Sequence, residues 1–253
     1  MNSGFFAGVA PGPLREHPRP EPTLHTPGVH SIMANQHVEA GILACKRVLR
    51  AGLRGVLIAD RHPAAGYFPA CEVAYIFDPK TGEIVLPMDV EPAKVGHGVL
   101  CVPAERPDAT QMTLEWSACG EEEIGHAADR WAGYHGKTSK TRWARGMVRS
   151  VKRSDAVYTC EQVDMRSQIL SVEGELRRFL NSDRPRLGAF VRAKLGVEAN
   201  DALAVGIDEL GIDVRTGFGV VRVEFDEPMQ PERAAEHLRG ILGVSSGPGG
   251  GGR

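Results

Sequence analysis

Side chains able to bind an anion crowd one short stretch of the chain. Between Arg130 and Arg153, in RWAGYHGKTSKTRWARGMVRSVKR, lie Arg130, Lys137, Lys140, Arg142, Arg145, Arg149, Lys152 and Arg153, and no acid. The full chain carries a formal net charge of -2, so this is a local concentration of positive charge. Its densest part, HGKTSKTR, holds a glycine, two lysines, hydroxyls and an arginine. Such a loop offers a phosphate or carboxylate several charge-assisted hydrogen bonds. Lys137, Thr138, Lys140 and Arg142 are its candidate ligands. The G-x-x-x-x-G-K-[ST] spacing of a nucleotide P-loop is absent. Two other readings stand beside the anion site. One is solvated charge on a strand pair, which suits Arg149, Lys152 and Arg153 best. The other is a nucleic-acid surface, with aromatics stacking bases between cations. The near-neutral chain and the lack of a known motif make nucleic acid the weakest of the three.

His135 lies in the same stretch, between Tyr134 and Gly136. A neutral imidazole can ligate heme iron, its other nitrogen then needing a hydrogen-bond partner. The plainer reading is a histidine that caps or packs after a helix. Arg61 and His62, in ADRHPAAGYF, fall in a strand-to-strand loop that either faces a ligand or is a solvated turn pinned by Pro63. His97 sits between glycines in KVGHG, read as a flexible loop. Asp208 and Asp213 flank a turn at Gly211 and could pair on a metal or in acid/base work. Asp in turns more commonly binds its own backbone. Trp131 and Trp143 read as core. No H-E-x-x-H or G-x-S-x-G is present, and no feature identifies a nucleophile.

The elements that must position these residues follow from pattern. At 253 residues the chain holds one or two domains, taking about 150 residues for each. Its 42% hydrophobic and 25% charged residues are ordinary for a globular protein. Residues 1–34, rich in proline, read as a disordered tail, and 245–253 as a Gly-rich flexible one. A helix is predicted from an Asn35 N-cap to an end at Gly52 or Gly55. Strands follow: GVLIAD, then YFPACEVAYIFD turned by PKTG into EIVLPMD, then GVLCVPAE and TQMTLEWSA. A helix is expected over EEEIGHAADRWAGY, and a strand pair over RGMVRSVKRSDAVYTCEQ. From about residue 166 the texture becomes α/β, with two helices, a strand-turn-strand over ALAVGIDELGIDVRTGFGVVRVEF, and a closing helix at QPERAAEHLRGIL. The cysteines at 45, 71, 101, 119 and 160 are scattered, with no C-x-x-C. They read as buried free thiols of a reducing cytoplasm. No apolar run reaches the ~20 residues of a membrane helix, and the start does not resemble a secretion signal.

This order, and the stretch Gly206-Ile207-Asp208-Glu209-Leu210-Gly211, Val221-Arg222-Val223-Glu224-Phe225 and the helix over 231–242, resembles the pyridoxamine-phosphate-oxidase-like split-barrel superfamily. More narrowly it resembles the heme-utilisation branch. The resemblance implies an α+β fold: an FMN-binding-type split β-barrel over 35–165 and a small α/β domain over 166–244. It also implies a homodimer with ligand grooves between subunits, and heme or FMN as cofactor. A small anionic ligand, a heme propionate or flavin phosphate, would then sit on His135, Lys137, Thr138, Lys140, Arg142, Arg61 and His62, with His135 as the metal ligand. If an enzyme, the protein would be a heme-degrading or flavin-dependent oxidoreductase. Members of the branch carry a His-Met-Asn where this chain has GAFVRAKLGVEANDAL, and VEPAKVGHG has one lysine where flavin barrels have a basic segment. That departure favours the alternative, a non-catalytic barrel that binds a partner protein. The chloroplast relatives that bind glutamyl-tRNA reductase are the precedent.

Overall fold

The computed structural model describes residues 27–59, 70–88, 95–103, 106, 108–140 and 142–243. Arg61 and His62 lie outside them, as do residues 1–26 of the proline-rich start and the glycine-rich end. The chain falls into two units, Met1–His37 and Val38–Arg253, and every strand belongs to the second. Helix α1, Pro27–Ala51, starts before the Asn35 cap expected from sequence. Pro27 occupies its first position, where a missing N–H removes no helical bond. Cys45 and Leu49 of α1 are fully buried among the barrel side chains.

Eight strands form one antiparallel sheet: β1 (Arg54–Ala59), β2 (Cys71–Ala74), β3 (Ile76–Phe77), β4 (Ile84–Met88), β5 (Val95–Val102), β6 (Thr110–Cys119), β7 (Arg142–Arg153) and β8 (Ala156–Thr159). Their order is β2-β1-β5-β6-β7-β4-β3, with β8 on the flank of β7. The two ends of that order, β2 and β3, are consecutive pieces of one segment broken at Tyr75. Its first half pairs with β1, Arg54 opposite Ala74 and Leu57 opposite Cys71. Its second half pairs with β4, Ile76 opposite Val85 and Phe77 opposite Ile84. One bent strand thus closes the sheet into a barrel.

Alternation does the rest. On β6, Thr110, Met112, Leu114 and Trp116 point inward and are buried, while Gln111, Thr113 and Ser117 are exposed. Pairing between β6 and β7 shifts after Thr113, leaving Arg149 as an extra residue on β7. His97 lies in β5, opposite Glu115, rather than in the flexible loop expected. Placing a strand there leaves its imidazole on the outer face, exposed.

The helix expected after β6 is two, α2 (Glu121–Ile124) and α3 (His126–His135). Gly125 breaks them at φ 43°, a conformation that favours glycine. Trp131 and Tyr134 of α3 bury against Ile76, Val85 and Trp143 of the barrel and Val205 beyond it. The remainder is α4 (Leu170–Asn181), α5 (Arg184–Leu195), β9 (Leu203–Asp208), β10 (Gly211–Thr216), β11 (Gly219–Glu224), a 3-10 turn over Pro231–Arg233 and α6 (Ala234–Ile241). Asp183 caps α5 by accepting from the Arg186 N–H at 3.1 Å. Gly196 closes that helix in the left-handed conformation. Three strands stand where sequence suggested two, because Thr216–Gly219 turns a second hairpin, with Gly219 at φ 142°. Leu176, Leu180, Leu187 and Val191 pack on Ile207, Ile212 and Val214 to make a second core.

The fold is therefore α+β: a split β-barrel closed by a bent strand, followed by a small α/β portion. Among the described residues no helix is long and apolar enough to cross a membrane. Of the five cysteines only Cys45 is buried; Cys101, Cys119 and Cys160 are half-buried and Cys71 is exposed, so the expectation of buried thiols fails for those four.

The bend has a cost that α3 offsets. At the split the ladder cannot bond every carbonyl, and Trp131 donates its indole N–H to the Ala74 carbonyl at 3.2 Å. Trp131→Phe keeps most of the packing and orphans that acceptor. A loss of about 1–3 kcal/mol is expected in urea unfolding, with an unchanged m-value.

Candidate functional site

The structure disperses the basic stretch. Arg130 pairs with Glu173 at 2.6 Å. Arg145 bridges Asp78 at 3.0 Å and Glu83 at 3.1 Å. The extra residue on β7, Arg149, donates to Glu115 at 2.9 Å through Nε. Arg153 donates to the Thr110 hydroxyl at 3.2 Å. These four act within the fold, each bonded to a group from another element. Trp131 and Trp143 are both buried and meet edge to face at 5.8 Å.

What stays together is the segment after α3. Gly136, at φ 85°, ends the helix. The Thr138 hydroxyl accepts from the Lys140 N–H at 3.1 Å, making a short turn. Lys137 and Arg142 are exposed and Thr138 and Lys140 half-buried. At its head, His135 is half-buried, its ring tilted 38° to that of Trp131 with centroids 4.7 Å apart, and its Nε2 lies 3.0 Å from the Tyr75 carbonyl. A carbonyl accepts, so Nε2 carries the proton and Nδ1 is the remaining lone pair. Burial pushes the imidazole below its ordinary range, with the Arg54 cation adding to this and the Tyr75 bond opposing it.

A second set of groups was not legible as a set in the sequence, where Arg130, Arg222 and the two aspartates stood in separate readings. From α4 through α3 and the C-terminal sheet to α1 runs a chain of polar groups: Glu173, Arg130, Tyr134, Asp213, Arg222, Asp208, Arg50. The Tyr134 hydroxyl donates to Asp213 at 2.7 Å. Arg222 donates to Asp213 at 2.9 Å and to Asp208 at 2.6 Å. Arg50, at the end of α1, meets Asp208 at 3.2 Å and also donates to the Met165 carbonyl. Asp208 binds its own turn too, accepting from the Leu210 N–H at 2.8 Å, as expected of Asp in a turn. Three cations face three carboxylates, so the buried set is neutral. Burial alone would push the Asp208 carboxyl up, but the Arg222 and Arg50 guanidiniums outweigh it and hold it below the usual range. Burial and the Asp213 charge push the Tyr134 phenol well up, so it stays a donor. Gly206 permits this approach, because a Cβ there would overlap the Tyr134 hydroxyl. Among the described residues no cluster of His, Cys, Asp and Glu could hold a metal ion.

Beside α3 opens a cleft of about 1010 Å3. It takes Arg130 and Arg145 from the basic stretch but none of residues 135–142. Its other cations are Lys80, Arg177 and Arg215.

No protein-family model and no curated protein matches the chain. Among solved structures it is similar to the protein Atu2129 of unknown function from Agrobacterium tumefaciens str. C58. That likeness has 16% identity and a TM-score of 0.62, over 80% of this chain and 95% of that one. It is also similar to a "Putative Pyridoxamine 5'-phosphate oxidase" from Listeria innocua. There the identity is 16% and the TM-score 0.33, over 48% of this chain and 99% of that one. The first likeness is one of fold alone.

Arg222→Leu removes the cation between two buried carboxylates, and a loss of about 3–5 kcal/mol is expected in chemical denaturation. His135→Gln keeps a donor for the Tyr75 carbonyl and removes the titration. The folded pKa of His135 is depressed, so its contribution is full above the unfolded value of about 6.5 and is lost as pH falls through the folded one. Between pH 7.5 and 5.5 the wild type should therefore lose more stability than the glutamine variant. A parallel loss in both would separate the slope from His135.

Proposed function

We propose that this protein is a split-barrel binder of a small anionic ligand of the flavin-phosphate type, held by the segment Lys137–Arg142. The supporting observation is the segment's geometry. It leaves α3 in a glycine conformation, organises itself through Thr138, and carries Lys137 and Arg142 exposed between α3 and β7. The residues fit the acidic end of a flavin, through Lys137, Lys140, Arg142 and the Thr138 hydroxyl. The flavin would bring the electron-transfer chemistry, with the protein supplying position and charge. Heme fits less well at His135, because Nε2 is committed to the Tyr75 carbonyl and iron could meet only Nδ1. Arg61 and His62 would complete the site from the loop after β1.

A second reading is a barrel that binds a protein partner or a second copy of itself. It is favoured by Ile58, Met147 and Val157, which expose 47%, 45% and 64% of their surfaces on outward positions of β1, β7 and β8. A homodimer would cover such outward strand positions of two barrels.

Titration with FMN, and separately with hemin, followed by absorbance, tests the first reading. Saturable FMN binding that weakens at least tenfold in the Lys137→Gln, Lys140→Gln double variant is expected. A hemin Soret shift lost in His135→Ala, with no FMN binding, would replace flavin by heme. Neither ligand binding saturably would leave the partner reading. Light scattering at micromolar concentration is expected to give a dimer, reduced to monomer by Ile58→Glu.

A further inference from the structure

Of the cations lining the cleft beside α3, Arg130 and Arg145 are neutralised by carboxylates. Arg177 of α4 and Arg215 of β10 are not. Arg215 donates to the Ala132 carbonyl at 3.1 Å. Arg177 reaches the Val205 carbonyl at 3.4 Å. Neither has an acid within ion-pair distance among the described residues. A neutral carbonyl orients a guanidinium without compensating its charge, and a planar guanidinium keeps further donors for a bidentate acid.

The backbone brings the two together. Asp213 pairs with Gly206 but Val214 with Ala204, so Val205 is an extra residue on β9 with no partner in the register. Such a bulge leaves the extra residue's groups outside the ladder, and the Val205 carbonyl takes Arg177. One row away, Leu203, Arg215 and Val220 stand opposite one another across the three strands. Arg177 is thus anchored two residues along β9 from the cross-strand partner of Arg215. Glu123 and Asp129 line the α2–α3 side, and Lys80, in the turn between β3 and β4, is the remaining cation of the cleft, so Arg177 and Arg215 are the two uncompensated guanidiniums of its lining.

We propose that this cleft binds the anionic group, carboxylate or phosphate, of a small molecule between Arg177 and Arg215. The site shares no residue with the Lys137–Arg142 segment, so the two proposals stand or fall apart. Inorganic phosphate and, separately, malonate are titrated calorimetrically into the full chain at low ionic strength. One saturable site per chain is expected for at least one probe, and which probe binds assigns the anion class. Arg177→Gln and Arg215→Gln should each weaken it at least tenfold. Arg178→Gln, next door on α4 but outside the cleft, should leave it unchanged. Arg215→Lys, which keeps the charge and a donor for Ala132, should retain saturable binding if the loss in Arg215→Gln is one of charge rather than of α3 packing. Absence of saturable heat with both probes up to about 10 mM overturns the proposal. So does binding that survives the Arg177→Gln, Arg215→Gln double variant, or that falls equally in Arg178→Gln.

Discussion

A sheet that closes on itself through one bent strand must break its hydrogen-bond ladder at the bend, and a buried carbonyl left there needs a partner from elsewhere. Here the bend is Tyr75. Its N–H still reaches back to the Leu53 carbonyl at 3.0 Å, prolonging the β1 pairing by one residue. Its hydroxyl donates to the Leu49 carbonyl of α1 at 3.2 Å. The carbonyls of Ala74 and Tyr75 turn to Trp131 and His135. These sit four residues apart on α3, the spacing that puts two side chains on one helical face. The position of α3, and of everything built on its other side, derives from closing the barrel.

That other side is joined by charge. Tyr134 lies between Trp131 and His135 in sequence and turns toward the C-terminal sheet, where Asp213 accepts its hydroxyl. Arg222 and Arg50 carry the chain of contacts back to α1, which already packs in the barrel. Arg47, one turn earlier, adds bonds to Glu224 at 3.2 Å and to the Phe225 carbonyl at 2.8 Å. Apolar packing would hold the sheet against α3 in many registers. A neutral set of directional bonds with a glycine at the point of closest approach is satisfied in one.

The sequence made the architecture legible where one rule dominated. Alternation in TQMTLEWSA, the PKTG turn and the helical period of α4 and α5 all name elements that the structure contains. It misled where a single residue decides the backbone. Gly125 splits a helix whose apolar period runs on without interruption, and Gly219 makes a hairpin inside what reads as one long strand. The basic stretch was conspicuous because its acids are far away in sequence: Asp78, Glu83, Glu115 and Glu173 all come from other elements. Local composition registers the cations and not their partners. Arg50 and Arg222, by contrast, look like ordinary surface residues of a helix and a strand, and only the tertiary pairing reveals that they are buried. The Arg177–Arg215 arrangement depends on a bulge at Val205, for which LAVGID carries no visible mark.

The bent strand also fixes how this chain can vary in length. Segments before and after it can gain or lose residues at modest entropic cost, since loop closure grows only slowly with length. From Cys71 to Phe77 there is no such freedom. Four residues are registered against β1 and two against β4, with one between them. An added residue would turn one half inside out relative to the other, exposing Val73 or Ile76 and burying their neighbours. The barrel therefore has a ruler seven residues long built into its seam, and relatives of the fold should differ around that segment rather than within it.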